Sequence, residues 1–352
     1  MLHTEVIPHT LHFKNPAGTS RGVYTTRNVW YVKITDDSQP CREGIGECAP
    51  LHDLSMDASP NYEKRLRQIC SEIEKSGHLD TDSLRDSPSM LFGLETAFRN
   101  LTYGNIMWDS PFARGEEGLR INGLIWMGDY DTMLSRIEEK MRAGFHCIKL
   151  KIGAIDFEKE IALLKHIRNH YSAAEIEIRV DANGAFSAEE AMTKLERLAE
   201  LDLHSIEQPI RAGQWQEMAK LTRSTPLPIA LDEELIGINK IDDKRRLIET
   251  IRPQYIILKP TLHGGIQGSE EWIKIMNETS ESENAWWITS ALESNVGLNT
   301  IAQWSATLNN PMPQGLGTGQ LFTDNIPSPL TIQGEKLWYK KQALLISRPT
   351  GL

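Results

Sequence analysis

The sequence predicts an α/β fold, a (β/α) barrel preceded by a smaller α+β domain. Three observations predict it. Short apolar runs recur between residues 147 and 293, each run closes on a charged or polar side chain, and stretches of helical period lie between them. Repeated βα units favour a parallel sheet, and a long series of them favours a closed barrel.

The runs come in order. Cys147–Gly153 carries Lys149 and Lys151, Ile176–Gly184 carries Asp181, and His204–Pro209 carries Glu207. Pro228–Glu234 carries Asp232, Tyr255–Pro260 carries Lys259, and Trp286–Glu293 carries Ser290 and Glu293. From Lys151 to Ser290 the intervals are 30, 26, 25, 27 and 31 residues. That spacing fits one strand, one helix and two short loops. The runs are rich in Ile, Val and Leu, as strands buried on both faces are. Residues 155–168 follow a helical period. Residues 187–200 open with Ser187 and Glu190, a capping box. In such barrels chemistry sits at the C-terminal strand ends, where these polar residues fall.

The rest of the 352 residues accommodates a second unit. Residues 1–104 are expected to form an N-terminal α+β capping domain, with strands at 11–15, 28–34 and 44–51 and helices at 61–76 and 88–103. A polar, turn-rich loop is expected at 16–26. Residues 105–120 read as a connector and 121–325 as the barrel, its first strand at 121–128. A helix at 295–306 leads to a Gly-rich final strand end at 313–320. The segment 326–352 is expected to pack back on the capping domain. The formal net charge of −10 argues against a nucleic-acid partner. No run reaches the ~18 apolar residues of a membrane span, and no signal peptide is evident. Cys41, Cys48, Cys70 and Cys147 lack metal-type or redox-type spacing, so they read as reduced thiols of a cytoplasmic protein.

Asp181, Glu207 and Asp232 on successive strand ends would converge at the barrel mouth. Unpaired like charges there repel, and a divalent cation relieves them. An all-oxygen donor set favours Mg²⁺, with Mn²⁺ as a substitute, over zinc. The alternative is that each carboxylate caps a helix or pairs with an arginine. Lys149 and Lys151, two residues apart, share a strand face. An inward lysine beside a metal and another ammonium should lose pKa and suit proton transfer; for Lys149 a plain salt bridge is the competing reading. Lys259 lies across the mouth. A base, a metal and a facing cation suggest removal of a proton α to a carboxylate, with the enediolate stabilised by the metal. That is the known pattern of enolase-superfamily sites.

The order Lys-x-Lys, Asp-Ala-Asn, Glu-Gln-Pro, Asp-Glu, Lys-Pro resembles the enolase superfamily, muconate-lactonizing-like subgroup. So does Gly44–Leu51, and the resemblance covers nearly the whole chain. It implies a modified TIM barrel of the enolase-superfamily type with a capping domain. It implies that Lys151 is the acid/base, Lys259 its facing lysine, and Asp181, Glu207 and Asp232 the Mg²⁺ ligands. Within the subgroup, Arg179–Phe186, Ser205–Ile210, Ile257–Gly265 and Ser290–Leu298 resemble the enzymes that form o-succinylbenzoate for menaquinone. The implied reaction is dehydration of 2-succinyl-6-hydroxy-2,4-cyclohexadiene-1-carboxylate, a small-molecule substrate. Lys149, Asn183, Ser290 and Arg21 are the candidates for substrate contact; Arg21 would bind the succinyl carboxylate from a lid, or else be a solvated loop charge. Dipeptide epimerases and N-succinylamino acid racemases are the alternatives. The epimerases carry an Asp-x-Asp grip for the substrate ammonium where this chain has Ser290–Ser294, with Glu293 the one acid left. A barrel kept as a non-catalytic binding protein is a remoter reading.

Overall fold

The computed structural model describes residues 1–19, 22–280, 282 and 284–340. The chain opens with three antiparallel strands, β1 (Leu2–Thr19), β2 (Gly22–Asp36) and β3 (Glu43–Cys48), in the order β1-β2-β3. Pro8 is accommodated because β1 is the edge strand, where a missing N–H costs no ladder bond. Of the expected loop at 16–26, residues 17–19 and 22–24 are instead paired strand, from Ala17↔Tyr24 to Thr19↔Gly22, beyond a register shift after His12. Its Pro, Gly and Ser content reads as a turn, but cross-strand pairing overrides that local preference.

Helices α1 (Tyr62–Ser76) and α2 (Pro88–Tyr103) cover one face of this sheet, burying Leu66, Ile69, Leu91 and Leu94 against Val32 and Ile34. A Cβ on Gly46 would collide with the carbonyl of Gly93, so the glycines of β3 let α2 lie directly on the strand. Glu47 therefore points the other way, toward the barrel.

After β4 (Leu119–Arg120) the barrel follows. Its strands are β5 (Gly123–Ile125), β6 (Cys147–Lys151), β7 (Glu177–Asp181), β8 (Ser205–Glu207), β9 (Ile229–Leu231), β10 (Tyr255–Leu258) and β11 (Trp286–Ile288), each pair parallel and in sequence order. The helices between and after them are α3 (Tyr130–Arg142), α4 (Phe157–His170), α5 (Ala188–Ala199), α6 (Trp215–Ser224), α7 (Ile241–Ile251), α8 (Gly265–Thr279) and α9 (Asn295–Thr307). The Ser187–Glu190 capping box starts α5. Two residues close the ring. Gln314 bridges Ile121 and Gly315 bridges Thr289, both parallel. A Cβ on Gly315 would strike the Thr289 side chain, so the seam needs glycine there.

The tail forms an antiparallel hairpin, β12 (Leu330–Gln333) and β13 (Lys336–Tyr339), whose second strand pairs with β4. The expectation placed this tail on the capping domain. Its described part instead buries Leu337 and Tyr339 in the barrel's core, while contact with the capping domain comes earlier, where the tilted rings of Phe13 and Phe322 meet with centroids 4.6 Å apart. Residues 341–352 lie outside the described residues. Cys41, Cys48, Cys70 and Cys147 are free thiols, and no helix among the described residues is long and apolar enough to cross a membrane.

Candidate active site

Strand register brings the polar ends together. Lys151 pairs with Asp181 across β6–β7, and Asp181 pairs with Glu207 across β7–β8. Asp232 and Lys259 follow directly after β9 and β10. Lys149 Nζ lies 2.9 Å from Asp181 Oδ2 and 2.5 Å from Glu207 Oε2. Lys151 Nζ lies 3.1 Å from Asp181 Oδ2 and donates to Asn183 Oδ1 at 2.8 Å. On the far side Lys259 Nζ pairs with Asp232 Oδ2. Lys149, Lys151, Asp181, Asn183, Glu233, Lys259 and Ser290 line one cavity of about 620 Å³. Its remaining wall near the mouth is largely apolar: Tyr24, Leu51 and Leu54 from the capping domain, Trp126, Ala291, Leu292 and Leu321 from the barrel side.

The candidate residues differ in how free they are. The Lys149 ammonium is held between two carboxylates, and Lys149 is almost fully buried. Asn183 adopts a left-handed backbone, φ 44°, and bridges Lys151 to Glu233 Oε1 at 3.0 Å through its amide. The Ser290 hydroxyl donates to Glu293 Oε2 at 2.7 Å and accepts from Thr318 and Leu292 N. Arg21 lies outside the described residues.

Glu293 is turned away from the cavity. It is fully buried, with Thr261 donating to Oε1 at 2.5 Å and Ser290 to Oε2. Three other residues emerge only in three dimensions. Glu233 faces the cavity beside Lys151. Gln208, at φ 40°, accepts from Asp232 N and Glu234 N and so holds the turn after β9. His263 accepts the Lys259 backbone N–H on Nδ1 at 3.0 Å, and burial pushes it down to about 3, so it stays neutral. In sequence Glu233 stands in the Asp-Glu motif, Gln208 in Glu-Gln-Pro and His263 in the 257–265 stretch, but none of them reads there as a site residue.

The electrostatics follow from this packing. Burial opposes ionisation of Asp181, yet Lys149, Lys151 and Lys259 hold its carboxyl well below the usual range. Burial and the Asp181 charge push Glu207 well up, and burial and Asp232 push Glu233 up to about 7. The lysines were expected to lose pKa. For Lys259 burial does act that way, but Asp232, Glu207 and Glu233 outweigh it and hold the ammonium at about 12. Lys149 is likewise raised, by Asp181 and Glu207 against burial.

Among the described residues no group of three or more His, Cys, Asp or Glu is arranged as a ready-made cation cage, because the lysines draw carboxylate oxygens to themselves. The donor set nonetheless fits a hard divalent cation. Glu207 Oε1, Asp232 Oδ1 and Glu233 Oε2 are buried without a hydrogen-bond partner. Buried carboxylate oxygens left bare are costly unless a cation completes them.

A barrel with acids on consecutive strand ends and lysines facing one cavity defines a class: a (β/α) barrel with its polar site at the strand ends. Residues 132–339 match the family model described as Enolase C-terminal domain-like. The o-succinylbenzoate synthase of Desulfotalea psychrophila is 45% identical, covering 92% of this chain and 95% of that one. The crystal structure of MenC from Desulfotalea psychrophila LSv54 superimposes with a TM-score of 0.81 at 40% identity, covering 96% of this chain and 99% of that one. The L-Ala-D/L-Glu epimerase of Bacillus subtilis is 24% identical over 86% of this chain and 83% of that one. An o-succinylbenzoate synthase from Thermosynechococcus elongatus, complexed with Mg in its active site, shares the fold at 21% identity and TM-score 0.72, covering 89% of this chain and 92% of that one. The chain belongs to the enolase superfamily, in the family of the o-succinylbenzoate synthases, and is an enzyme of that carbon–oxygen lyase family.

Proposed function

We propose that this enzyme carries out the Mg²⁺-dependent dehydration of 2-succinyl-6-hydroxy-2,4-cyclohexadiene-1-carboxylate to o-succinylbenzoate, a step of menaquinone biosynthesis. The observation that carries this reading is the pair of lysines, Lys151 and Lys259, bordering one cavity from opposite sides of a carboxylate cluster. Asp181, Glu207 and Asp232 would hold the metal, with Glu233 close by. When bound, the metal supplies charge stabilisation for the substrate carboxylate as its α-proton leaves.

Lys151 takes that proton on Nζ and returns it to the departing hydroxyl on the same face. Asn183 orients Lys151 through its 2.8 Å hydrogen bond. Lys259, kept cationic, lies against the ring and stabilises the negative charge that builds there. Loss of water aromatises the ring, so the site has less to supply than a racemase does.

Glu293 favours this reaction over dipeptide epimerisation. Both its oxygens are engaged by hydroxyls inside the protein, so the loop after β11 presents no acid to grip a substrate ammonium. Racemisation of N-succinylamino acids is the second reading, since it too needs two facing lysines. The test is turnover by the purified protein with Mg²⁺. Formation of o-succinylbenzoate from the cyclohexadiene is expected, abolished by EDTA and restored by Mg²⁺. Efficient turnover of dipeptides or N-succinylamino acids with none of the cyclohexadiene would overturn the assignment.

A further inference from the structure

Arg27 lies on β2, is 5% exposed, and stands behind the cavity wall rather than in it. Its guanidinium forks between two loops that do form that wall. Nη1 donates to the carbonyl of Ala291 at 2.5 Å, and Nη2 donates to the carbonyl of Ala49 at 2.6 Å. Ala291 and Leu292 face the cavity from the barrel; Ala49 leads into Leu51 and Leu54, which face it from the capping domain.

Stability alone is a poor reason for an arginine here. A buried cation loses its hydration, and an apolar residue of similar shape often stabilises as well or better. The nearby carboxylates Glu293 and Glu47 attract the guanidinium, but their hydrogen bonds come from other donors. Glu293 accepts from Thr261 and Ser290; Glu47 accepts from Ser294 N, Ser294 Oγ and Gly297 N at 2.6–2.7 Å. What a planar fork does, and an apolar side chain cannot, is fix the distance between two carbonyls. Leu292 also needs holding, because its φ of 65° is left-handed, a conformation costing a branched residue about 1–2 kcal/mol.

We propose that Arg27 is a positioning residue for the part of the substrate beyond the reacting ring. By tying the Ala49 and Ala291 carbonyls together, it makes the capping wall (Leu51, Leu54) and the barrel wall (Ala291, Leu292) one rigid surface. The inference rests on the proposed function for what fills that surface: the succinyl side chain of the ring.

The test compares wild type with Arg27→Met and Arg27→Lys, using hydrogen exchange over 49–54 and 290–294 and steady-state kinetics with Mg²⁺ and the cyclohexadiene. For Arg27→Met, exchange should quicken in both segments, KM should rise about tenfold and kcat should fall less than about threefold, the signature of lost substrate positioning. Arg27→Lys, with a point donor that reaches one carbonyl, should loosen one segment and raise KM by less. A purely structural role predicts instead a lower Tm with KM unchanged. That result, or exchange altered in one segment or neither in the Met variant, overturns the proposal. If the Met variant does not fold, the Lys variant decides: unchanged KM with both segments fully protected overturns it. Should wild type fail to turn over the cyclohexadiene, the functional reading falls, while the exchange measurement still decides whether the tether exists.

Discussion

The two ends of strand β7 carry charge in different ways. At its N-terminal end Arg179 pairs with Glu177 at 2.6 Å, donates to the Pro313 carbonyl and lies 4.1 Å over the Trp287 ring. His204 stacks on Tyr255 at 4.9 Å beside them, pushed down to about 4 by burial and therefore neutral. One acid meets one base, and the Trp287 face covers the guanidinium, whose Nη2 has no hydrogen-bond partner. At the C-terminal end Asp181 joins Glu207, Asp232 and Glu233 around Lys149, Lys151 and Lys259. Carboxylates outnumber ammoniums there, and three of their oxygens are buried and bare. The same strand thus shows a one-to-one ion pair, with Arg179 Nη2 left without a hydrogen-bond partner, and a cluster in which acids outnumber bases. Burying charge in a matched pair says little about function; burying an excess of one sign says more.

Three substitutions probe that contrast, in falling order of effect. Lys151→Ala should cut dehydration by about 10³-fold or more, as loss of a general acid/base does. Thermal stabilisation by Mg²⁺ should survive, and a variant retaining a tenth of wild-type turnover would remove Lys151 from the mechanism. Arg179→Met should do the reverse. It strands Glu177 and should cost about 3–5 kcal/mol in denaturant unfolding, with kcat and KM of the folded fraction unchanged; altered kinetics would mean that the two ends of the barrel are coupled.

The smallest effect is expected at Glu95 on α2. Its carboxylate accepts from Ile266 N at 2.8 Å at the start of α8, and burial pushes it up to about 7. A carboxyl raised on folding favours the native state at low pH, and that favour is lost as pH climbs from the unfolded value near 4.5 through 7. Glu95→Gln should therefore gain stability relative to wild type between pH 5 and pH 8, by no more than about 3 kcal/mol. An equal Tm difference at both pH values would show that Glu95 does not titrate there.

Much of the barrel was legible because its signals are local. Each strand is an apolar run ending in a polar residue, and the Ser187–Glu190 box and the apolar period of Pro88–Tyr103 depend only on neighbours in sequence. The metal and lysine candidates were legible for the same reason: strand ends in a barrel converge. The rest depended on distant partners. The 16–26 segment reads as a loop until β1 is seen pairing with β2. Glu293 reads as a possible substrate contact until Thr261, on another strand end, is seen donating to it. Gln208 stands in the Glu-Gln-Pro motif, yet neither it nor Arg27 shows locally what it holds, because that is main chain far away in sequence.

Two glycines lie in the first turns of barrel helices where a carboxylate from the other domain enters. A Cβ at Gly265 would strike Glu95 Oε2, and one at Gly297 would lie 3.0 Å from Glu47 Oε2. The capping domain thus supplies the acceptors that complete α8 and α9. Severed from its partner, the barrel would keep only the Ser294 cap on α9 and none on α8, and the cap would carry two acids with nothing to receive them. A chimaera that exchanges caps between relatives to retune specificity must carry both acids and both glycines across together, or it will be a poorly joined molecule before it is a poor catalyst.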